Sequence, residues 1–166
     1  MANERPKLNI PKTRGEWIWN GIGYFFFVGS VILLLFVWKS LPEKVPAHFD
    51  FSGEVNRWGR RWELWTLPGF GIFIGILMQI LENYPQVYNF PQRFNESNAE
   101  LFYLHNRKML NQLKNICFII FSLLLFESIS IALDWGFELG VWLLPIVILG
   151  MGVPLVLGLI KQGKIK

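Results

Sequence analysis

Uncharged apolar runs alternate with polar segments along this chain, and the runs predict four membrane spans at about 17–38, 64–81, 115–133 and 140–160. About 20 residues at roughly 1.5 Å rise cross the roughly 30 Å hydrocarbon layer, so each run has a span's length. The first run carries no charge, exceeds the roughly 7–15-residue core of a secretory signal and is followed by no small-residue cleavage site, so it reads as a span. Trp17, Trp19 and Trp38 lie at its ends, and Trp58, Trp62 and Trp65 precede the second span, where indole rings favour the interface. Gly71 and Gly75 are spaced for close approach of a neighbouring helix, and Gly150, Pro154 and Gly158 give the fourth span one small-residue face. The short connection 134–139 makes the last two spans an antiparallel hairpin.

The polar segments differ in kind. In 41–61, Pro42 and Pro46 impose extended chain. Ala47–Phe51 alternates like a short strand, Ser52-Gly53-Glu54 is a turn, and Val55–Gly59 returns, which predicts a small hairpin. In 82–114 the first half is broken by prolines. Asn95 is then placed to cap a helix, with Asn98 and Glu100 in its first turn. Phe102, Tyr103, Met109, Leu110 and Leu113 follow helical spacing with Arg107, Lys108 and Lys114 off that stripe, predicting an amphipathic helix that lies on the bilayer and runs directly into the third span.

Composition agrees with lipid as solvent. The chain is 52% hydrophobic and 17% charged, against about 25% charged in ordinary soluble domains. A lone Cys117 excludes an intramolecular disulfide and a cysteine-based zinc cluster. The net charge of +4 comes with no nucleic-acid-binding motif. The basic residues orient the chain instead. The N-terminal tail, second connection and C-terminal tail carry four, four and three, so eleven of sixteen lie on one side. Positive-inside bias therefore predicts a multi-pass inner-membrane protein with both termini cytoplasmic and the 41–61 loop outside.

The loop sequence PEKVPAHFDFSGEVNRWG, with Pro42, Val45, Pro46, His48, Phe49, Gly53, Trp58 and Gly59, resembles the motif of domain of unknown function 1648. A second block, with Asn89, Pro91, Asn98, Arg107 and Met109-Leu110, is similar to the family's second connection, so the resemblance runs over about 41–114. The same domain opens SdpI-type immunity proteins, longer chains that resist a secreted peptide toxin and hold a repressor at the membrane. The resemblance implies a domain-only relative with a peptide toxin or envelope ligand outside and a cytoplasmic regulator inside.

Three side chains invite chemistry. His48 and Asp50 share a strand face and Glu54 is near, but zinc takes about four ligands and His105 falls on the other side. His48 pinning the hairpin by a bond to loop backbone is the favoured reading, and a titrating sensor is a third. Glu127 is a carboxylate inside a span, which costs about 2.5–3.5 kcal/mol and calls for a partner. Arg57, Arg60 or His48 of the loop are the candidates, with snorkelling or a bond to Ser122 or Ser130 as the plainer alternatives. Gln79 suits an interhelical hydrogen bond.

No nucleophile–base pair, phosphate-cradling loop or HExxH motif occurs, and Gly21-Ile22-Gly23 lies within a span, so neither an enzyme nor a cofactor is expected. The expectation is one all-α integral-membrane domain of four spans with an outer hairpin and an inner amphipathic helix. It recognises a ligand through Pro42, Pro46, His48, Phe49, Asp50, Gly53, Arg57, Trp58 and Gly59. The alternative is a small transporter or permease-like subunit built on Glu127 and Gln79.

Overall fold

The computed structural model describes residues 5–165; the tail residues 1–4 and Lys166 lie outside it. Four helices are long and apolar enough to cross a membrane: α1 (Arg14–Val37), α2 (Thr66–Asn83), α3 (Ala99–Ala132) and α4 (Leu143–Gly163). A two-stranded antiparallel hairpin, β1 (Lys44–Phe49) and β2 (Val55–Arg60), stands between α1 and α2. Single 3₁₀ turns lead into α2 and α4, where Arg61–Trp65 and Gly140–Trp142 wind the chain into each span.

α3 is the axis of the molecule, packed by α1, α2, α4 and β1. The face α1 turns toward it runs Glu16, Asn20, Gly23, Phe27, Ser30, Leu34, Val37, in alternating steps of four and three. That spacing keeps one stripe on a neighbouring helix over many turns. Beyond Arg14 in the first turn, the opposite face is apolar and bare, as Phe25 and Phe36 illustrate, which suits lipid. Gly71 and Gly75 are packing positions as expected, but what fills them is aromatic: the Phe27 ring lies over Gly71 and the Phe118 ring over Gly75, stacked on each other with centroids 4.8 Å apart. The small face of α4 packs on α3, with Met109 seated over Gly158.

The amphipathic stretch expected to lie on the bilayer and run directly into the third span is continuous with that span but packs into the bundle. Residues 99–114 are the first half of α3, which is continuous for 34 residues, about 51 Å. Arg107 and Lys114 are covered by α1, α2 and the tail and are buried rather than splayed onto a bilayer surface, while Lys108 stays exposed. The helix also starts later than Asn95. Asn98 is its N-cap residue, while Asn95 closes an Asx-type turn by accepting from the N–H groups of Ser97 (2.9 Å) and Asn98 (3.2 Å).

Candidate functional site

At the hairpin end the packing is apolar. Leu34, Val37, Leu41, Val45, Leu64, Leu125 and Ile129 form one buried cluster that joins the ends of α1, α3 and the start of α2. Val45 of β1 is buried in it, while Pro46 is buried on the cleft side; Pro42 and Pro46 set the strand's extended course. Pairing runs Val45 to Gly59, Pro46 to Trp58 and Phe49 to Val55, with an irregularity on either side of His48. His48 Nδ1 donates to Asn56 Oδ1 across the hairpin at 2.7 Å, so the histidine pins the strands through a side chain rather than through loop backbone.

Asp50 holds the turn. Its Oδ1 accepts from Ser52 N–H (2.9 Å), Ser52 Oγ (2.6 Å) and Glu54 N–H (3.1 Å). These bonds, the Ser52 hydroxyl first, hold the carboxyl below the ordinary aspartate value. Gly53 completes the turn at φ +80°, a left-handed conformation natural to glycine. It is also buried, because it lies directly on the Gly140 carbonyl. Trp58 is largely exposed, and Arg61 sits over the Trp38 ring at 5.4 Å, consistent with an aromatic belt.

Glu127 does not pair with Arg57, Arg60 or His48. Arg57 is taken by Glu63 (Nη1–Oε2 2.9 Å), and the Arg60 N–H donates to Glu63 Oε1 (2.9 Å). Neither Ser122 nor Ser130 partners the acid; Ser130 Oγ accepts from Phe137 N–H instead. Glu127 is fully buried and its Oε1 accepts from the Leu139 N–H at 2.8 Å. It thereby fixes the connection whose next residue, Gly140, seats the hairpin turn. The acid reaches the hairpin through backbone, not through a charge. Its Oε2 has no hydrogen-bond partner among the described residues.

Beneath the hairpin is a cleft of about 650 Å³. β1 gives it His48, Phe49 and Asp50, the second helix entrance gives Glu63 and Leu67, and α3 and α4 close it with Leu124, Ser128, Leu144 and Val147. Among the described residues no three of His, Cys, Asp and Glu gather as a metal-holding group.

The opposite end is held by charge. Arg107 donates to Glu16 through Nε (2.7 Å) and Nη2 (3.2 Å), and to the carbonyls of Ile10 (2.5 Å) and Pro11 (2.9 Å). Lys114 pairs with Glu82 at 2.7 Å and donates to Gln79 at 3.0 Å, the interhelical bond that glutamine suggested. Lys12 reaches the other oxygen of Glu82 at 3.2 Å. Asn111 donates to Asn20 (2.8 Å) and Glu82 (3.2 Å), and Asn115 donates to Asn20 (3.0 Å). The second connection caps this cluster with stacked rings of Phe90, Phe94 and Tyr103, Arg5 lying over Phe90 at 5.3 Å. Tyr88, whose hydroxyl donates to the Leu81 carbonyl (2.8 Å), is pushed above the ordinary phenol value by burial, then by the nearby Glu82 charge. Asn98 donates to the Arg93 carbonyl (3.0 Å), Pro91 accepts from Phe94 N–H (2.9 Å), and Asn89 is exposed.

Of the loop residues, the structure brings His48, Phe49, Asp50 and Pro46 to one cleft and turns Pro42, Arg57 and Trp58 outward. Glu16, Asn20, Glu82, Asn111, Lys114 and Asn115 were not singled out from sequence as a group. The signal was present: Arg107, Asn111, Lys114 and Asn115 fall at i, i+4, i+7 and i+8, one polar stripe matched by Glu16 and Asn20 on α1.

This chain is similar to an "Uncharacterized protein" of Archaeoglobus fulgidus, 40% identical over 65 residues, covering 34% of this chain. The chain spans about a third of that relative's length, 36%. No solved structure matches. The family model of Domain of unknown function (DUF1648) matches residues 25–72, which run from the middle of α1 through the hairpin into α2. The match ends before the second connection, so the block from Asn89 to Leu110 is outside it. The stretch that builds the hairpin, buries β1 and supplies much of the cleft's rim is thus a DUF1648 domain.

Proposed function

We propose that this chain is a multi-pass inner-membrane protein that recognises a peptide or envelope ligand at its hairpin end, in the manner of an immunity or sensor protein, and catalyses no reaction. The cleft of about 650 Å³ under the hairpin carries this reading. Ligand sites are mostly apolar with a few placed polar groups. Here Phe49, Leu67, Leu144 and Val147 stand beside His48, Asp50 and Glu63. The apolar wall suits one face of an amphipathic segment, and the Asp50 carboxylate suits its basic end. The bias of basic residues toward the tails and second connection supports cytoplasmic termini and an outer hairpin. A seated ligand would press on the Gly53–Gly140 contact that Glu127 holds, and the second connection offers a surface to a cytoplasmic regulator.

The test uses the full chain in phosphatidylcholine nanodiscs and a fluorescein-labelled cationic amphipathic helical peptide. Saturable binding is expected, weakened at least about ten-fold by Leu144→Trp, which fills the cleft, with thermal unfolding unchanged. Equal binding by the filled variant overturns the reading. Proton flux in vesicles that is lost in Glu127→Gln would favour the permease-like alternative instead.

A further inference from the structure

A second cavity, of about 640 Å³, opens between the first turn of α1, the middle of α3's first half and the C-terminal half of α4. It lies at the tail end, away from the hairpin cleft. Its charge is one-sided. Arg14, Lys108 and Lys161 line it, all three are exposed, and none is in an ion pair among the described residues. The one carboxylate in the lining, Glu16, is already occupied by Arg107 and by the Thr13 N–H and hydroxyl (2.7 and 2.8 Å). The opening turn of α1 adds the partial positive charge of a helix N-terminus.

Thr13, His105, Asn111 and Gln112 add polar groups to the cavity's lining, and Trp19, Met109, Val153, Pro154 and Leu157 form an apolar side. Val153 and Leu157 are exposed on α4, so this wall continues onto the surface that faces lipid. The cavity is held open by fixed contacts. His105 Nε2 donates to the Gly158 carbonyl (2.8 Å), Gln162 donates to Asn106 (2.9 Å), and Arg93 grips the carbonyls of Gln162 (2.7 Å) and Ile165 (2.9 Å). These bonds tie the end of α4 to α3 and the second connection.

We infer that this cavity binds an anionic phospholipid of the tail-side leaflet, its phosphate among Arg14, Lys108 and Lys161 and an acyl chain along Trp19, Val153 and Leu157. Basic pockets between helices at a membrane interface recognise anionic headgroups. Continuity of the cationic rim with a lipid-facing apolar wall selects a lipid over a free phosphate. The second is an outcome of the test.

Native mass spectrometry of the delipidated full chain, titrated with dioleoyl phosphatidylglycerol and dioleoyl phosphatidylcholine, decides the matter. One phosphatidylglycerol is expected to bind in preference to phosphatidylcholine. Lys108→Gln and Lys161→Gln should each weaken it about five-fold, the effect of roughly one interfacial cation. Leu157→Trp, which blocks the acyl path and leaves the charges, should also weaken it. Equal retention of the two lipids, or phosphatidylglycerol binding untouched by the two lysine variants, overturns the inference. Inorganic phosphate displacing phosphatidylglycerol with Leu157→Trp silent would assign the site to free phosphate and overturn the lipid.

Discussion

The two ends of this bundle are held by opposite physics. At the hairpin end, Leu34, Val45, Leu125 and Ile129 make a dry apolar cluster, and the polar groups face a cleft or close local turns. At the tail end, Glu16, Glu82, Arg107 and Lys114 are buried as two ion pairs, Glu16 with Arg107 and Glu82 with Lys114, and Asn20, Asn111 and Asn115 join the second. Lipid is as apolar as leucine, so helices gain little from burying leucine against each other within it. Packing shape orders one end, therefore, and directional bonds order the other. The difference teaches where change can occur. A network of mutually satisfied charges resists partial opening because each lost bond strands a charge, whereas an apolar seat beside an open cleft can shift at small cost.

The largest blow to this contrast is Arg107→Met. Glu16 would lose its partner, and the Ile10 and Pro11 carbonyls their donor. Breaking one side of a buried pair costs about 3–5 kcal/mol, seen as a fall in thermal unfolding temperature in micelles. Leu125→Ala at the other end should cost about 2–4 kcal/mol through a cavity under β1, read by the same measurement. Gly53→Ala comes next. Its φ of +80° penalises a side chain by about 1–2 kcal/mol, and the new methyl would collide with the Gly140 carbonyl. The hairpin should undock while the spans stay folded, raising amide exchange at residues 44–60.

The smallest effect is on the pH axis. Asp50 is held below its ordinary value by the bonds it accepts, so its carboxylate supports the turn fully above the unfolded aspartate range. That support is lost as pH falls through the depressed folded value. Protection of the Ser52 and Glu54 amides, relative to their intrinsic exchange at each pH, should therefore fall on acidification, and Asp50→Asn, which keeps an acceptor oxygen, should remove the acid limb.

Much of the architecture was legible because apolar run length and proline placement act locally. The four helices, the hairpin and the roles of Pro42, Pro46 and Gly53 follow from such signals. What escaped depends on which faces meet. Lys114 and Arg107 read as surface cations because a helix's charged residues usually face water. They are buried only because Glu16 on α1 and Glu82 on α2 arrive opposite them, which spacing within α3 does not disclose. An acid within a span calls for a partner, and the group Glu127 accepts from is the Leu139 N–H, a backbone group that no residue pattern advertises.

Hydrogen–deuterium exchange on Arg107→Met beside the wild-type chain, both in nanodiscs, is the most direct trial of two independently held ends. Protection should fall at residues 10–16 and 99–111 while residues 44–60 exchange as in the wild type. Equal loss of protection in the hairpin would mean that the ends are one cooperative unit, and the division of labour drawn here would be wrong.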